Sequence, residues 1–357
     1  MEEEETMKRE RTVFLFLLLL VLGVAACNVS EQQQPENQGQ EEPTMKPTDS
    51  PAPTQTSAPT ETPAPTPTYE PAKIEDSMIP VRYTKYNKNF SGKIEHIEYP
   101  TYDYYGDKSP MTKYAYVYLP KGYDETKQYN VLYLMHGIGG DETEWGMTGS
   151  FSKVKLMMDN LAESGDIEPF IVVAANGRSG ADFANKNADH NAFYVFGQEL
   201  RNDLIPYIEA NYATYAEYHA DGYDMTATRT HRAMAGLSMG GMQTINIGLC
   251  ECLDLFGWYG AFSAAPTSYS SDVIAEKLKE FPEEYRIHYF YNICGLSDGI
   301  ALASAKNATR GLTEKTERFT EQNFMWHEVK GAHDFQVWYL GFYNFVQLVF
   351  DPEYFAE

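Results

Sequence analysis

The pentapeptide Gly236-Leu237-Ser238-Met239-Gly240 decides the fold expected for this chain of 357 residues. It follows a short apolar strand predicted at 231–235, and an apolar helix is predicted after it at 242–252. Gly-x-Ser-x-Gly between a strand and a helix is the pattern of a nucleophile elbow, a sharp turn that exposes a serine hydroxyl at the end of the strand. The flanking glycines permit the strained turn. We therefore predict that Ser238 is a nucleophile; a chance Gly-rich turn is the alternative.

Strand and helix patterns alternate on both sides of this turn. The other predicted strands lie at 93–99, 113–119, 130–135, 170–175, 257–262, 287–293 and 324–329. The other predicted helices lie at 151–163, 196–212, 273–280, 308–323 and 335–350. Alternation of this kind predicts an α/β fold with a mostly parallel central sheet and helices on both faces. The first two strands read as an antiparallel start to that sheet.

Two later residues have the placement that the partners of a catalytic serine need. His333 follows the last predicted strand, and Asp298 follows the strand before it. The histidine would accept the Ser238 proton and return it to a leaving alcohol, while the aspartate would orient the imidazole. The chain order Ser238, Asp298, His333 is that of α/β-hydrolases. An ordinary loop histidine and a turn-forming Asp before Gly are the alternatives.

A tetrahedral intermediate on Ser238 would also need two backbone N–H donors for its oxyanion. Met239, directly after the serine, is expected to supply one of them. The other is expected from the loop His136-Gly137-Ile138-Gly139-Gly140 after the strand at 130–135, and Ile138 is the predicted donor. His136 itself is expected to anchor this loop through its side chain.

The N-terminal residues 1–75 lack the pattern of a folded domain. A basic segment at 7–11 and an apolar run at 13–24 end in Val24-Ala25-Ala26-Cys27, which resembles a lipobox whose Cys27 is lipidated after cleavage. An ordinary signal peptide or an uncleaved anchor helix is the alternative. Residues 28–75 are rich in Gln, Glu, Pro and Thr and are expected to form a disordered linker. We therefore predict a leader over 1–27, a folded domain over 76–357, and a lipoprotein anchored outside the cell.

Composition excludes some partners. The formal net charge of -23 disfavours nucleic-acid binding, because polyphosphates would be repelled. The cysteines Cys250, Cys252 and Cys294 are odd in number and imply no disulfide framework. Cys250 and Cys294 are expected to be small buried residues and not ligands, and a metal site formed by Cys250 and Cys252 with a histidine is not expected. No cofactor and no metal are expected, and contact with a membrane is expected through the lipid anchor only.

Taken together, these residues resemble the esterase-D-like family that includes the feruloyl and acetylxylan esterases of carbohydrate esterase family 1. The resemblance covers roughly 92–350 and rests on Tyr133-Leu134-Met135-His136-Gly137-Ile138-Gly139-Gly140, Gly236-Leu237-Ser238-Met239-Gly240-Gly241, Asp298, and His333 with Trp338 behind it. It implies an α/β-hydrolase that cleaves esters on plant cell-wall polysaccharides, or on their feruloylated or acetylated oligosaccharides. The reaction would pass through an acyl-enzyme and need no cofactor.

Substrate contacts and competing functions stay open at this point. Trp145, after the Gly-rich loop, and Trp338, after the histidine, are candidates to line the acyl or sugar pocket, with core packing as the alternative. The same triad also suits an esterase for acetylated sugars, siderophore esters or thioesters. An acyltransferase related to mycolyl transferases, or a non-catalytic surface binding protein on the same scaffold, are further alternatives.

Overall fold

The computed structural model describes residues 73–355, except for the side chains of Glu353 and Phe355. Its strands are β1 Lys93–Tyr102, β2 Pro110–Leu119, β3 Val131–Met135, β4 Ile171–Ala175, β5 Arg232–Leu237, β6 Trp258–Phe262, β7 Tyr289–Gly295 and β8 Phe324–Val329. They form one sheet in the order β1-β2-β4-β3-β5-β6-β7-β8. The β1–β2 and β2–β4 pairs are antiparallel, and every pair from β4 to β8 is parallel. The sheet is therefore mostly parallel, with an antiparallel start.

Eight α-helices occur in the described part of the chain. They are α1 Lys153–Ser164, α2 Phe196–Glu199, α3 Ile205–Asn211, α4 Met239–Gln243, α5 Ser271–Leu278, α6 Leu302–Thr309, α7 Leu312–Lys315 and α8 Phe335–Leu348. A π-helical segment, Leu200–Leu204, joins α2 to α3, and a second one, Thr244–Leu249, continues α4. Short 3-10 turns lie at Val81–Thr84, His190–Val195, Thr226–His231 and Pro352–Phe355.

Each face of the sheet carries its own hydrophobic core. Along β3, Val131, Tyr133 and Met135 point into a cluster that contains apolar residues of α3, of both π-helical segments and of α5. Leu132 and Leu134 point to the other face, into a cluster formed with α1 and α8. Successive side chains of a strand face opposite sides, and both sides of β3 are buried because helices cover both. The predicted fold class is confirmed.

The helix predicted at 308–323 is wrong. Helix α6 begins earlier, the short α7 follows it, and 316–323 contains no helix. Gly311 separates the two helices with a φ of 61°, a left-handed conformation that interrupts the helical hydrogen bonding. The Asn323 side chain then donates to the carbonyl oxygens of Ile287 and Arg318, at 2.8 and 2.9 Å, and holds the segment in its non-helical path.

The predicted leader at 1–27, with Cys27, lies outside the described residues, as does most of the predicted linker. The end of the predicted linker contacts the domain at Glu75. The Glu75 N–H donates to Asn344 Oδ1 on α8, and the Glu75 carbonyl accepts from Asn344 Nδ2, both at 2.9 Å. Asp76 lies 2.9 Å from His327 on β8. Across 73–355, none of the helices has the length and apolar character required to cross a bilayer.

Candidate active site

Ser238 lies at the turn from β5 into α4. Its φ of 49° and ψ of -112° are values that residues with a side chain rarely adopt. A Cβ on Gly240 would lie 2.5 Å from the Met135 carbonyl oxygen, and one on Gly236 would lie 2.6 Å from the Gly240 carbonyl carbon. Only glycine fits at either position, which is the physical reason for the motif. The Ser238 N–H donates to the Phe262 carbonyl at 2.9 Å and helps hold the strained turn.

The structure brings the three predicted triad residues together at the carboxyl edge of the sheet. The Nε2 of His333, in the loop between β8 and α8, lies 3.0 Å from the Ser238 Oγ. Its Nδ1 lies 2.9 Å from Oδ2 of Asp298, in the loop after β7. Both distances are within hydrogen-bond range, and the two ring nitrogens face different partners. The arrangement can pass a proton from the hydroxyl to the imidazole.

Asp298 is buried and firmly held. Its Oδ1 accepts the N–H groups of Ile300 and Ala301 at 3.0 and 2.8 Å, and the Cys294 Sγ lies 3.5 Å from Oδ2. Burial alone would raise the pKa of Asp298, but the Ala301 amide, His333 and the Ser263 hydroxyl outweigh it, and the pKa is lowered. The carboxyl group is therefore ionised at neutral pH and able to orient the His333 ring.

The two predicted oxyanion donors lie beside the serine. A Cβ on Gly137 would be 3.4 Å from the Cβ of Ser238, so the loop that contains Ile138 lies next to the predicted nucleophile. Within the described chain, the Ile138 N–H has no hydrogen-bond partner. Met239 is the first residue of α4, where an amide has no acceptor inside the helix. Both amides are thus free for a ligand oxygen.

His136 anchors the loop through a defined tautomer. Its Nε2 accepts the Gly177 N–H at 2.9 Å, so the proton resides on Nδ1 and is donated to the Gly137 carbonyl at 2.7 Å. Burial, together with the charge of Arg178, lowers the pKa of His136 to about 3. The ring is therefore neutral and serves as a fixed link between the loops after β3 and β4.

The two tryptophans occupy different positions. Trp145 is only 1% exposed, and its Nε1 donates to the Met135 carbonyl at 3.0 Å. Its ring packs against aromatic residues of α8 and β6, so the expectation that Trp145 lines the substrate pocket is corrected: it is a core residue. Trp338 packs edge-on against His333, with 5.1 Å between ring centroids, and its Nε1 has no partner in the described chain. Of these two tryptophans, Trp338 is the one that contacts a residue of the predicted triad.

Two charged residues of the site were missed by sequence reasoning. Glu144 accepts the Gly137 N–H at 2.6 Å, and the Arg178 guanidinium donates to the carbonyl oxygens of Gly140, at 2.7 Å, and Ile138. Both side chains hold the loop at 136–140 by hydrogen bonds to its backbone. The available signal was their position in loops that follow β3 and β4, whose carboxyl ends meet at this edge.

Three cysteines lie in the described part of the chain. Cys250, Cys252 and Cys294 are buried free thiols. Burial raises the pKa of Cys252 and of Cys294 to about 12, so both remain protonated. Over residues 73–355, no group of three or more His, Cys, Asp or Glu side chains could hold a metal ion.

Comparison with known proteins identifies the family. A family model described as "Putative esterase" matches residues 110–342, more than half of the chain. The chain belongs to this esterase family. The esterase is 33% identical over 235 residues (62% of the chain) to an endo-1,4-beta-xylanase Y of Acetivibrio thermocellus, and 30% identical over 277 residues (75% of the chain) to an endo-1,4-beta-xylanase/feruloyl esterase of Xylanibacter ruminicola. It spans 20% and 32% of the length of these two relatives.

Solved structures agree with this assignment. The esterase is similar to a serine-to-alanine mutant of the feruloyl esterase module from Clostridium thermocellum complexed with sinapinate, with a TM-score of 0.64, 27% identity, and coverage of 79% of this chain and 95% of that one. It is also similar to a family 1 ferulic acid esterase from Anaeromyces mucronatus complexed with ferulic acid, with a TM-score of 0.61, 25% identity, and coverage of 78% and 98%. The described domain is thus a serine carboxylic ester hydrolase of the α/β-hydrolase fold, related to carbohydrate esterase family 1.

Proposed function

We propose that this esterase removes feruloyl groups from plant cell-wall polysaccharide or its oligosaccharides, with Ser238, His333 and Asp298 as the catalytic triad. The observation that supports this most directly is the continuous contact from Ser238 through His333 to Asp298, at 3.0 and 2.9 Å. The names of its relatives, endo-1,4-beta-xylanase Y and endo-1,4-beta-xylanase/feruloyl esterase, support the substrate class. Trp338 offers an aromatic edge beside His333 for the acyl group.

The reaction begins with acylation. The Ser238 Oγ attacks the ester carbonyl carbon while His333 Nε2 takes the hydroxyl proton, and the carbonyl π electrons move to oxygen. The resulting oxyanion accepts hydrogen bonds from the Ile138 and Met239 amides. Asp298 stabilises the imidazolium through Nδ1. The carbon–oxygen bond to the sugar then breaks, and the leaving alkoxide takes the proton from His333 Nε2.

Deacylation repeats these steps with water. His333 accepts a proton from a water molecule as the water oxygen attacks the acyl carbon. The oxyanion forms again and accepts hydrogen bonds from the same two amides. The bond between the acyl carbon and the Ser238 Oγ breaks, the serine recovers its proton from His333, and the free carboxylic acid leaves. No metal or organic cofactor takes part in this proposed sequence.

The protein is proposed to work at the outer cell surface, held by lipid on Cys27 and by the linker over 28–75. The support is the sequence Val24-Ala25-Ala26-Cys27 after an apolar run. We expect a labelled fatty acid to be incorporated by the parent protein and not by the Cys27→Ala variant. Equal labelling of both proteins would contradict this anchor.

The function is tested with the chain from Lys73 onward, because the structure describes the domain over residues 73–355. Hydrolysis of methyl ferulate is measured beside acetate release from an acetylated xylan, for the parent and for Ser238→Ala. We expect ferulate release by the parent and none by the variant. Circular dichroism should show that both are folded, because a Ser to Ala change removes one hydroxyl and leaves the core intact.

Other outcomes decide between the alternatives. Acetate release without ferulate release would reassign the substrate to acetylated xylan. Methyl ferulate consumed with transfer to an added alcohol in preference to water would indicate an acyltransferase. Hydrolysis that persists in Ser238→Ala would remove the serine from the mechanism.

A further inference from the structure

Arg178 is a buried cation bonded to backbone carbonyls. It lies in the loop after β4 and is 1% exposed. Its Nη1 donates to the Gly140 carbonyl at 2.7 Å, and its Nη2 donates to the Ile138 carbonyl. In the described chain no carboxylate forms an ion pair with this guanidinium. Asp141, Glu142 and Glu144 act on its charge through Coulomb attraction only, and the hydrogen bonds that offset the cost of its burial all go to backbone carbonyls.

These carbonyls belong to the loop that passes over Ser238. The N–H of Ile138 shares a peptide group with the Gly137 carbonyl, which His136 holds at 2.7 Å. The next peptide group begins with the Ile138 carbonyl, which Arg178 holds. A trans peptide points its C=O and N–H in opposite directions. Ile138 therefore lies between two peptide planes that are each fixed by a side chain, and its own N–H has a single direction.

We propose that Arg178 is a positioning residue for the oxyanion hole: by holding the Ile138 and Gly140 carbonyls it keeps the Ile138 N–H aimed at the carbonyl oxygen of the ester. This inference rests on the proposed role of Ile138 as an oxyanion donor. Arg178 does not touch the reacting atoms. A lysine at this position would present one nitrogen in place of two, so it could not reproduce the fixed fork in which Nη1 meets the Gly140 carbonyl and Nη2 meets the Ile138 carbonyl.

The loop that contains Arg178 is itself held from below. The Lys113 Nζ on β2 donates to the carbonyl oxygens of Asn176 and Arg178, both at 2.8 Å, and forms a fully buried ion pair with Glu199 at 2.7 Å. The Ser179 hydroxyl donates to the same carboxylate at 2.6 Å. The loop after β4 is thus connected to β2 and α2 by buried polar contacts. These contacts fix the position of the Arg178 guanidinium.

The expected effect falls on the chemical step. Removing one oxyanion donor lowers kcat by roughly 10²–10³-fold, and a displacement of about 1 Å can cost about 10²-fold. A misdirected Ile138 amide should weaken transition-state binding and leave ground-state binding of the ester unchanged. The split between kcat and KM therefore distinguishes a positioning role from loss of fold or of the substrate pocket.

The chain offers a matched control. Arg229 is also buried and also donates to two carbonyl oxygens, those of Leu253 at 2.8 Å and Phe256 at 2.6 Å. It lies just before β5, whereas Ser238 lies just after β5, roughly 20 Å away along the strand. Arg229→Met should lower thermal stability and leave kcat within threefold of the parent. Any effect of burying a methionine in place of an arginine is thereby measured away from the site.

Arg178→Met is expected to lower kcat for methyl ferulate, or for p-nitrophenyl acetate, about 100-fold with KM within threefold. In Arg178→Ala, added guanidinium should restore part of kcat, and methylammonium should not. A kcat within threefold of the parent in Arg178→Met, or a loss that appears only in KM, would overturn the proposal. If these variants do not fold, Arg178→Lys decides: we expect kcat to fall at least tenfold at unchanged KM, and an unchanged kcat would overturn it.

Failure of the proposed function gives a different result. If the parent hydrolyses no ester and Ser238→Ala reacts with a fluorophosphonate as the parent does, the serine mechanism itself is wrong. If the parent is active and Ser238→Ala is not, the Arg178 variants test positioning alone.

Discussion

At Ser238 the backbone takes a conformation that costs of order 1–3 kcal/mol, and its neighbours supply the contacts that hold it. The strain points the hydroxyl away from the sheet, toward His333, instead of letting it bond its own helix. A side chain at Gly236 would overlap the backbone of Gly240, and one at Gly240 would overlap the backbone of Met135 at the end of β3. The Ser238 hydroxyl therefore reaches His333 because of a backbone turn that requires glycine at positions 236 and 240.

Asp298 sets the tautomer of His333, and its replacement tests that role. We expect Asp298→Asn to lower kcat about 10³–10⁴-fold, because the amide NH₂ cannot accept the Nδ1 proton and the ring would be held in the wrong tautomer. The fold should survive, since the side-chain oxygen can still accept the N–H groups of Ile300 and Ala301. Steady-state kinetics and thermal melting measure both. A near-normal rate would mean that another acid orients the histidine.

At the scale of elements, α8 is coupled to the active site through its first turn. Asp334, the N-cap of α8, accepts the Gln336 N–H at 2.9 Å and the Val337 N–H at 3.4 Å. It directly follows His333, so the cap fixes the chain at the point where the loop of His333 becomes helix. The same helix packs against β6 and β7 and contributes Trp338 to the site. The Asp334 cap is therefore expected to affect both the stability of α8 and the position of His333.

Loss of this cap should be measurable. Asp334→Ala is expected to lower the free energy of unfolding by about 1 kcal/mol, because two helix N–H groups lose their acceptor. Asp334→Ser keeps a capping oxygen and should lose only a few tenths of that amount. Urea unfolding of the two variants beside the parent measures the difference. Equal stability of Asp334→Ala and the parent would show that water replaces the cap without cost.

At the scale of the whole molecule, burial in the folded state disfavours the protonation of His136 and His231. Burial lowers the pKa of His136 to about 3 and that of His231 to about 4. The unfolded chain binds these protons near the ordinary pKa of 6.5, so between about pH 6.5 and pH 3 it holds more protons than the folded chain. Stability therefore rises with pH in this window and is lost as the pH falls through it.

This linkage predicts an acid-sensitive fold. From pH 7 to pH 4.5, His136 alone should reduce the free energy of unfolding by roughly 3 kcal/mol. The non-titrating variant His136→Gln should be less stable at pH 7 and should show a correspondingly smaller decrease. Urea titrations at the two pH values test this. The same pH dependence in parent and variant would exclude His136 as its source.

Much of the fold followed from local pattern. Apolar runs and turn residues predicted the strands and most helices, because burial on one or both faces leaves a periodicity in the chain. The three residues of the proposed triad could be expected to meet for a related reason: parallel strands bring their carboxyl ends to one edge, so residues that follow different strands lie together there. The helix at 308–323 was misplaced because Gly311 and the Asn323 side chain, not periodicity, decide that segment.

What the sequence alone determined was the elbow at Ser238, the order of the elements, and the choice of Asp298 and His333, all of which depend on neighbours in the chain. Tertiary structure alone decided that Trp145 is core and that Arg178 holds the loop over the serine. Arg178 is separated from its carbonyl partners by about forty residues, and Trp145 is buried by residues of α8 near the other end of the chain. Such contacts leave no periodic trace, because they depend on how distant segments pack and not on the local conformation of either one.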